Sequence, residues 1–180
     1  MKTQKLSVIL STLIIGPMKK YKNFTLQEYL NSLSQRTPVP GGGSAAALVG
    51  ALGASLISMV ANYSIKPNQP LEVLTKIKKI FKESETLRKQ LLEMVDLDAA
   101  AYLKVVESRS TSVSVEKKRN ALRAAQAVPV EVCRLCYQAI ELTPFLAKKG
   151  NKYLLSDVEV AVEFLLAAFS AARFNVEVNS

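Results

Sequence analysis

Residues 45–61 carry no charge, and they follow directly on Thr37-Pro38-Val39-Pro40-Gly41-Gly42-Gly43-Ser44. The prolines stiffen the approach, and the three glycines allow a turn with φ > 0. Ser44 is a suitable N-cap for a helix beginning there. Small residues recur at Ala47, Ala51, Ala54, Ser58 and Ala61, with larger ones at Val49, Leu52, Leu56 and Val60. A helix apolar on all sides belongs in a core or a membrane. The small stripe admits a second helix at close range, so this segment is predicted to be the central post of a helical bundle. Its glycines, alanines and serines make it a poor membrane span, and its neighbours are amphipathic. The glycine turn either simply enters the helix or offers free N–H groups to an anion.

Around this post the pattern is helical throughout. Thr25-Leu26-Gln27-Glu28 reads as a capping box, with Phe24 and Tyr29 as its hydrophobic staple. A loop with Pro67 and Pro70 precedes a long helix to about Glu107, striped by Leu74, Ile77, Phe81, Leu87, Leu91, Val95, Tyr102 and Val105. A further helix starts near Val115, with Leu122, Ala125, Val132, Cys136 and Ala139 inward and a kink expected at Pro129. Lys148-Lys149-Gly150 reads as a helix stop. Ser156-Asp157-Val158-Glu159 reads as a second capping box opening the last helix, which carries Val160, Phe164, Ala167, Ala168, Ala171 and Phe174. The expected fold is all-α, an antiparallel bundle of about five or six helices.

A chain of 180 residues suits one domain. Residues 1–17 read as an N-terminal extension, with Met18 the more natural start and a secretion signal the alternative; residues 18–180 form the helical domain. The net charge of +9 is scattered along helices without interleaved aromatics, which argues against nucleic acid. There is no histidine, which removes Ser-His-Asp and Cys-His catalysis and histidine-based zinc sites. Cys133 and Cys136 form a lone C-x-x-C within a helical pattern, better read as free thiols in a reducing cytoplasm than as a metal site.

Without histidine, proton transfer falls to a carboxylate. Leu91, Val95, Asp98, Tyr102 and Val105 step by four and three, which puts Asp98 on the buried stripe itself. Burial is costly for a carboxylate and raises its pKa, so Asp98 is either satisfied by a neighbouring helix or catalytic. Asp96, on the adjoining face, is the second candidate. Asp157 suits a helix N-terminus on electrostatic grounds alone. Asn175 and Asn179 step by four along the end of the last helix and could hydrogen-bond a heteroaromatic ring or solvate a fraying end.

Pro40-Gly41-Gly42-Gly43-Ser44-Ala45-Ala46-Ala47, Val95-Asp96-Leu97-Asp98-Ala99-Ala100-Ala101-Tyr102, Val128-Pro129, Gly150-Asn151, Ser156-Asp157 and Asn175-Val176-Glu177-Val178-Asn179 occur in this order. The set resembles the cyclodeaminase domain of formiminotransferase-cyclodeaminase and the stand-alone methenyltetrahydrofolate cyclohydrolases, over roughly residues 21–179. The resemblance implies an all-helical homodimer acting on a one-carbon tetrahydrofolate as substrate, with no bound cofactor. It implies Asp98 as the acid–base residue, and Gly41, Gly42, Gly43 and Ser44 as part of the folate pocket. Asn151, Asp157 and Asn175 are implied as further substrate contacts. A non-catalytic helical module of the same ancestry is the alternative.

Overall fold

The computed structural model describes residues 20–110 and 112–178; the extension and Asn179 lie outside them. The described residues form six α-helices and two short 3₁₀ turns, with no strand among them. A 3₁₀ turn at Tyr21–Asn23 leads into α1 (Leu26–Leu33). Then come α2 (Gly42–Tyr63), α3 (Leu71–Ser108), α4 (Val115–Ile140) and α5 (Thr143–Lys149). A second 3₁₀ turn at Lys152–Leu154 leads into α6 (Leu155–Val178).

Helix α2 is the post. It packs along α3 on one side and α6 on the other, and α4 closes the ring between them. Three close approaches set the direction of α3: Gly43 lies against Asp98, Gly50 against Leu91, and Ser58 bonds Ser84. As one helix ascends the other descends, so the pair is antiparallel. Gly50 against Ala168 and Gly53 against Leu165 show the same for α6. The core between these helices holds Ile57, Ile77, Ile80, Leu91, Leu135 and Leu165, all fully buried. Each such side chain contributes roughly 1.5–3 kcal/mol of transfer free energy.

The small stripe of α2 faces inward as expected: Ala47, Ala51, Ala54, Ser58 and Ala61 are all buried. Of the larger residues, only Val60 is buried. Leu52 is 45% exposed, and Val49 and Leu56 are half-buried. The helix is therefore not covered on all sides. It is long and apolar enough to cross a membrane by length and composition, but 61% of that window is buried inside the bundle.

Local signals held unevenly. Thr25 and Glu28 form the full reciprocal capping box, and Ser114 caps α4 through Lys117 N–H. Ser44 does not cap α2. The N-cap is Gly41, and Ser44 lies inside the first turn, fully buried. No glycine has positive φ among the described residues, so the run makes no left-handed turn, and of its three glycines only Gly43 is needed for space within this chain. The second capping box is also absent: α6 already begins at Leu155, entered from the 3₁₀ turn that Asn151 caps through Tyr153 N–H. Leu122, expected inward, is 47% exposed. On α6 the inward set is Val158, Ala161, Leu165, Ala168 and Ala172, while Val160, Phe164 and Phe174 are exposed. Pro129 is buried inside α4, which continues through it to Ile140.

Candidate active site

Asp98 projects from α3 onto the first turn of α2. A methyl group built on Gly43 would lie 2.0 Å from its Oδ1 and 2.6 Å from its Cγ, so the carboxylate occupies the space a side chain at 43 would need. Glycine at 43 is what lets the acid reach the backbone. There it accepts a hydrogen bond from the Ser44 N–H, one of the donors a helix N-terminus leaves unpaired. Burial, the larger influence, pushes the Asp98 carboxyl up to about 6, and the Ser44 hydrogen bond opposes it. The result is a carboxyl that can take and return a proton near neutral pH. Asp98 is thus satisfied by the neighbouring helix, and it still titrates near neutral pH.

Residues around the turn have distinct roles. At Gly41 and Gly42 an added side chain would meet nothing within 4 Å, so the backbone of the first turn is open to approach. The Ser44 hydroxyl is turned inward, 3.0 Å from the Tyr29 hydroxyl, and both are buried. Tyr29, read from the sequence as a staple residue, is also the partner of this buried hydroxyl. A tyrosine at such a position needs a partner for its O–H, and that was the available signal. Asn175 lies towards the same end of the bundle, since α6 runs antiparallel to α2. Its side-chain amide donates to the Ala171 carbonyl at 3.1 Å.

Other candidates lie apart from Asp98. Asp96 faces the Tyr21–Asn23 turn, where its Oδ1 accepts from the Lys22 N–H at 3.3 Å, while Lys22 Nζ pairs with Glu93. Burial raises the Asp96 carboxyl, and the Lys22 N–H and charge pull it back. The two carboxylates therefore serve different contacts. Asn151 donates its N–H to the Ser64 hydroxyl at 2.8 Å, at the C-terminal end of α2. Asp157, in the first turn of α6, lies towards that end too. About 30 Å of helix separates that end from Gly43. Grooves of about 650 Å³ between α3 and α4, and of about 440 Å³ near the α3–α4 turn, have neither Asp98 nor the glycine turn among their lining residues. Among the described residues no three His, Cys, Asp or Glu side chains converge as a metal site would require.

Residues 25–180 match the family described as formiminotransferase-cyclodeaminase. The chain belongs to that family. It is 36% identical over 166 residues to methenyltetrahydrofolate cyclohydrolase of Methylorubrum extorquens, covering 88% of this chain and 80% of the relative. It is 30% identical over 172 residues to mouse formimidoyltransferase-cyclodeaminase, covering 91% of this chain but 32% of that longer protein. The crystal structure of formiminotetrahydrofolate cyclodeaminase from Thermotoga maritima superposes with a TM-score of 0.83 at 31% identity, over 88% of this chain and 79% of that one. The two folds agree over that span.

Proposed function

We propose that this chain is a folate one-carbon enzyme acting at the amidine-like C–N bond of a tetrahydrofolate, in the first instance as a methenyltetrahydrofolate cyclohydrolase. The observation that carries the reading is Asp98: a carboxyl shifted to about 6, held at the open N-terminal turn of α2. The similarity in length and sequence to a cyclohydrolase supports the choice of reaction. In that reaction the Asp98 carboxylate takes a proton from water as its oxygen bonds to the methenyl carbon. The resulting acid returns the proton to N5 as the C–N5 bond breaks. The hydroxyl proton leaves to solvent and the formyl group remains on N10. The ionised carboxylate also stabilises the cationic methenyl group.

The turn at residues 41–44 forms part of the folate pocket in this reading, with Asn175 near it. Asn151 and Asp157 stand at the other end of their own chain and are not assigned to the same pocket of that chain. Likeness to the Thermotoga maritima cyclodeaminase favours a second reading, in which N10 bonds to the formimino carbon, the N10 proton passes to the imino nitrogen, and Asp98 gives that nitrogen a second proton as its bond to carbon breaks and ammonia leaves. Supplying methenyl- and formiminotetrahydrofolate separately and following the methenyl absorbance separates the two. Loss of the first is cyclohydrolase activity, and appearance from the second is cyclodeaminase activity. Neither signal makes the chain a non-catalytic module.

The chain is proposed to work as a homodimer. Leu48, Leu52, Leu56 and Met59 of α2 and Phe164, Ala167, Ala171 and Phe174 of α6 are uncharged and incompletely buried, on two helices that pack together. Such a surface suits a second copy. The two unpaired thiols, Cys133 half-buried and Cys136 buried, fit a cytoplasmic protein, and neither membrane nor nucleic acid has a part in this reading.

A further inference from the structure

We infer that Tyr29 is a positioning residue for Asp98, acting through Ser44. The geometry is a chain of three groups. The Tyr29 hydroxyl lies 3.0 Å from the Ser44 Oγ, with Tyr29 4% and Ser44 0% exposed. Ser44 then donates its N–H to the Asp98 carboxylate. Each hydroxyl holds the other, so the first turn of α2 cannot rotate or lift without leaving two buried oxygens unpaired. Helix α1 thereby fixes the Ser44 donor aimed at the carboxylate, and the tyrosine that seats α1 in the core also sets the position of the acid.

Few other charges compete at this place. Helix α2 has no titratable side chain between Gly42 and Ala61. From α1 comes Tyr29, whose hydroxyl is raised chiefly by burial and in part by the Asp98 charge. In the Tyr21–Asn23 turn, Lys22 pairs with Glu93 and Tyr21 donates to the Val39 carbonyl. On α3 itself the neighbours are Asp96, held by the Lys22 N–H, and Tyr102 one turn on. At the nearby end of α6, Arg173 pairs with Glu177 at 3.5 Å.

This inference rests on Asp98 as the acid–base group, and the experiment separates the two claims. Protein labelled with ¹³C at aspartate carboxyls is titrated by NMR, alongside the pH dependence of turnover, for the wild type, Tyr29→Phe, Ser44→Ala and the double variant. Tyr21→Phe is the control, a neighbouring tyrosine whose hydroxyl serves a loop carbonyl. Loosening Ser44 weakens a bond that favours the ionised carboxyl, so Tyr29→Phe should raise the Asp98 midpoint by roughly half a unit to one unit. It should lower kcat by about tenfold with KM within about twofold. Ser44→Ala should do the same, and the double variant should lose no more than either single one. Tyr21→Phe should leave the midpoint in place. A folded Tyr29→Phe protein with an unmoved Asp98 midpoint overturns the inference, and if that variant does not fold, an unmoved midpoint in Ser44→Ala does the same. Should Asp98→Asn turn over normally while Tyr29→Phe still moves the midpoint, the positioning stands and the catalytic reading falls.

Discussion

At Asp98, burial and a single backbone hydrogen bond pull a carboxyl in opposite directions, and burial wins. Because its folded pKa lies above the ordinary carboxylate range, the ionised form is a cost to the fold that grows as pH rises from about 4 to about 6. Asp98→Asn should therefore be more stable than wild type by about 1–3 kcal/mol at pH 7–8. The gain should shrink as pH falls through 6 and vanish near 4, as denaturation at several pH values would record. Turnover of the same variant should fall by about 10²–10⁴-fold; normal turnover in a stable protein removes Asp98 from the chemistry. The glycines beside it divide by space. The Cβ added by Gly42→Val meets no neighbour, so this change should weaken folate binding more than folding, whereas Gly43→Ala drives a methyl into the carboxylate and should impair both. Equal affinity of Gly42→Val and wild type in a binding titration would leave the turn without a ligand role. Asp98 was legible from its four-three spacing because a carboxylate interrupting an apolar stripe stands out. Its contact with Gly43 was not, because nothing local ties α3 to the start of α2.

Among the elements, α2 shows where periodicity suffices and where it stops. Small residues predicted to admit a neighbour do so: at Gly53 an added methyl would sit 2.8 Å from Leu165 Cγ and 3.0 Å from the Ala161 carbonyl. Two effects compete in Gly53→Ala. Helix propensity favours alanine by up to about 1 kcal/mol, and overpacking costs about 1–3 kcal/mol. The backbone carbonyl cannot swing aside as a side chain can, so a net loss near 1 kcal/mol is expected in a denaturant midpoint. The capping box at Thr25 was readable because its signal lies within four residues. The same pattern at Ser156 failed because Asn151 starts the helical path earlier, through a 3₁₀ turn that leads straight into α6. The inward face of α6 was not legible for a related reason. Val160, Phe164, Ala167, Ala171 and Phe174 form a stripe as regular as Ala161, Leu165, Ala168 and Ala172, and period alone cannot say which one meets the bundle.

For the whole molecule, the all-α antiparallel class followed from helical patterning along nearly the entire chain. The placement of sites at either end of α2 did not, because motifs adjacent in an ordered list can lie a helix length apart. The uncharged, incompletely buried residues of α2 and α6 carry the expectation of a dimer. Light scattering at micromolar concentration should give twice the mass of one chain, and Leu52→Lys with Phe164→Lys should shift it towards one chain while the helical content stays the same. A wild-type monomer under those conditions would leave that surface without the proposed partner. The contact between Gly43 and Asp98 has a consequence for how such a chain can vary. Residues 43 and 98 share one volume, so a family member that keeps an acid at 98 is confined to glycine at 43. A drift to any larger residue at 43 must come after the carboxylate has gone, which makes the glycine a marker of whether the acid is still in use.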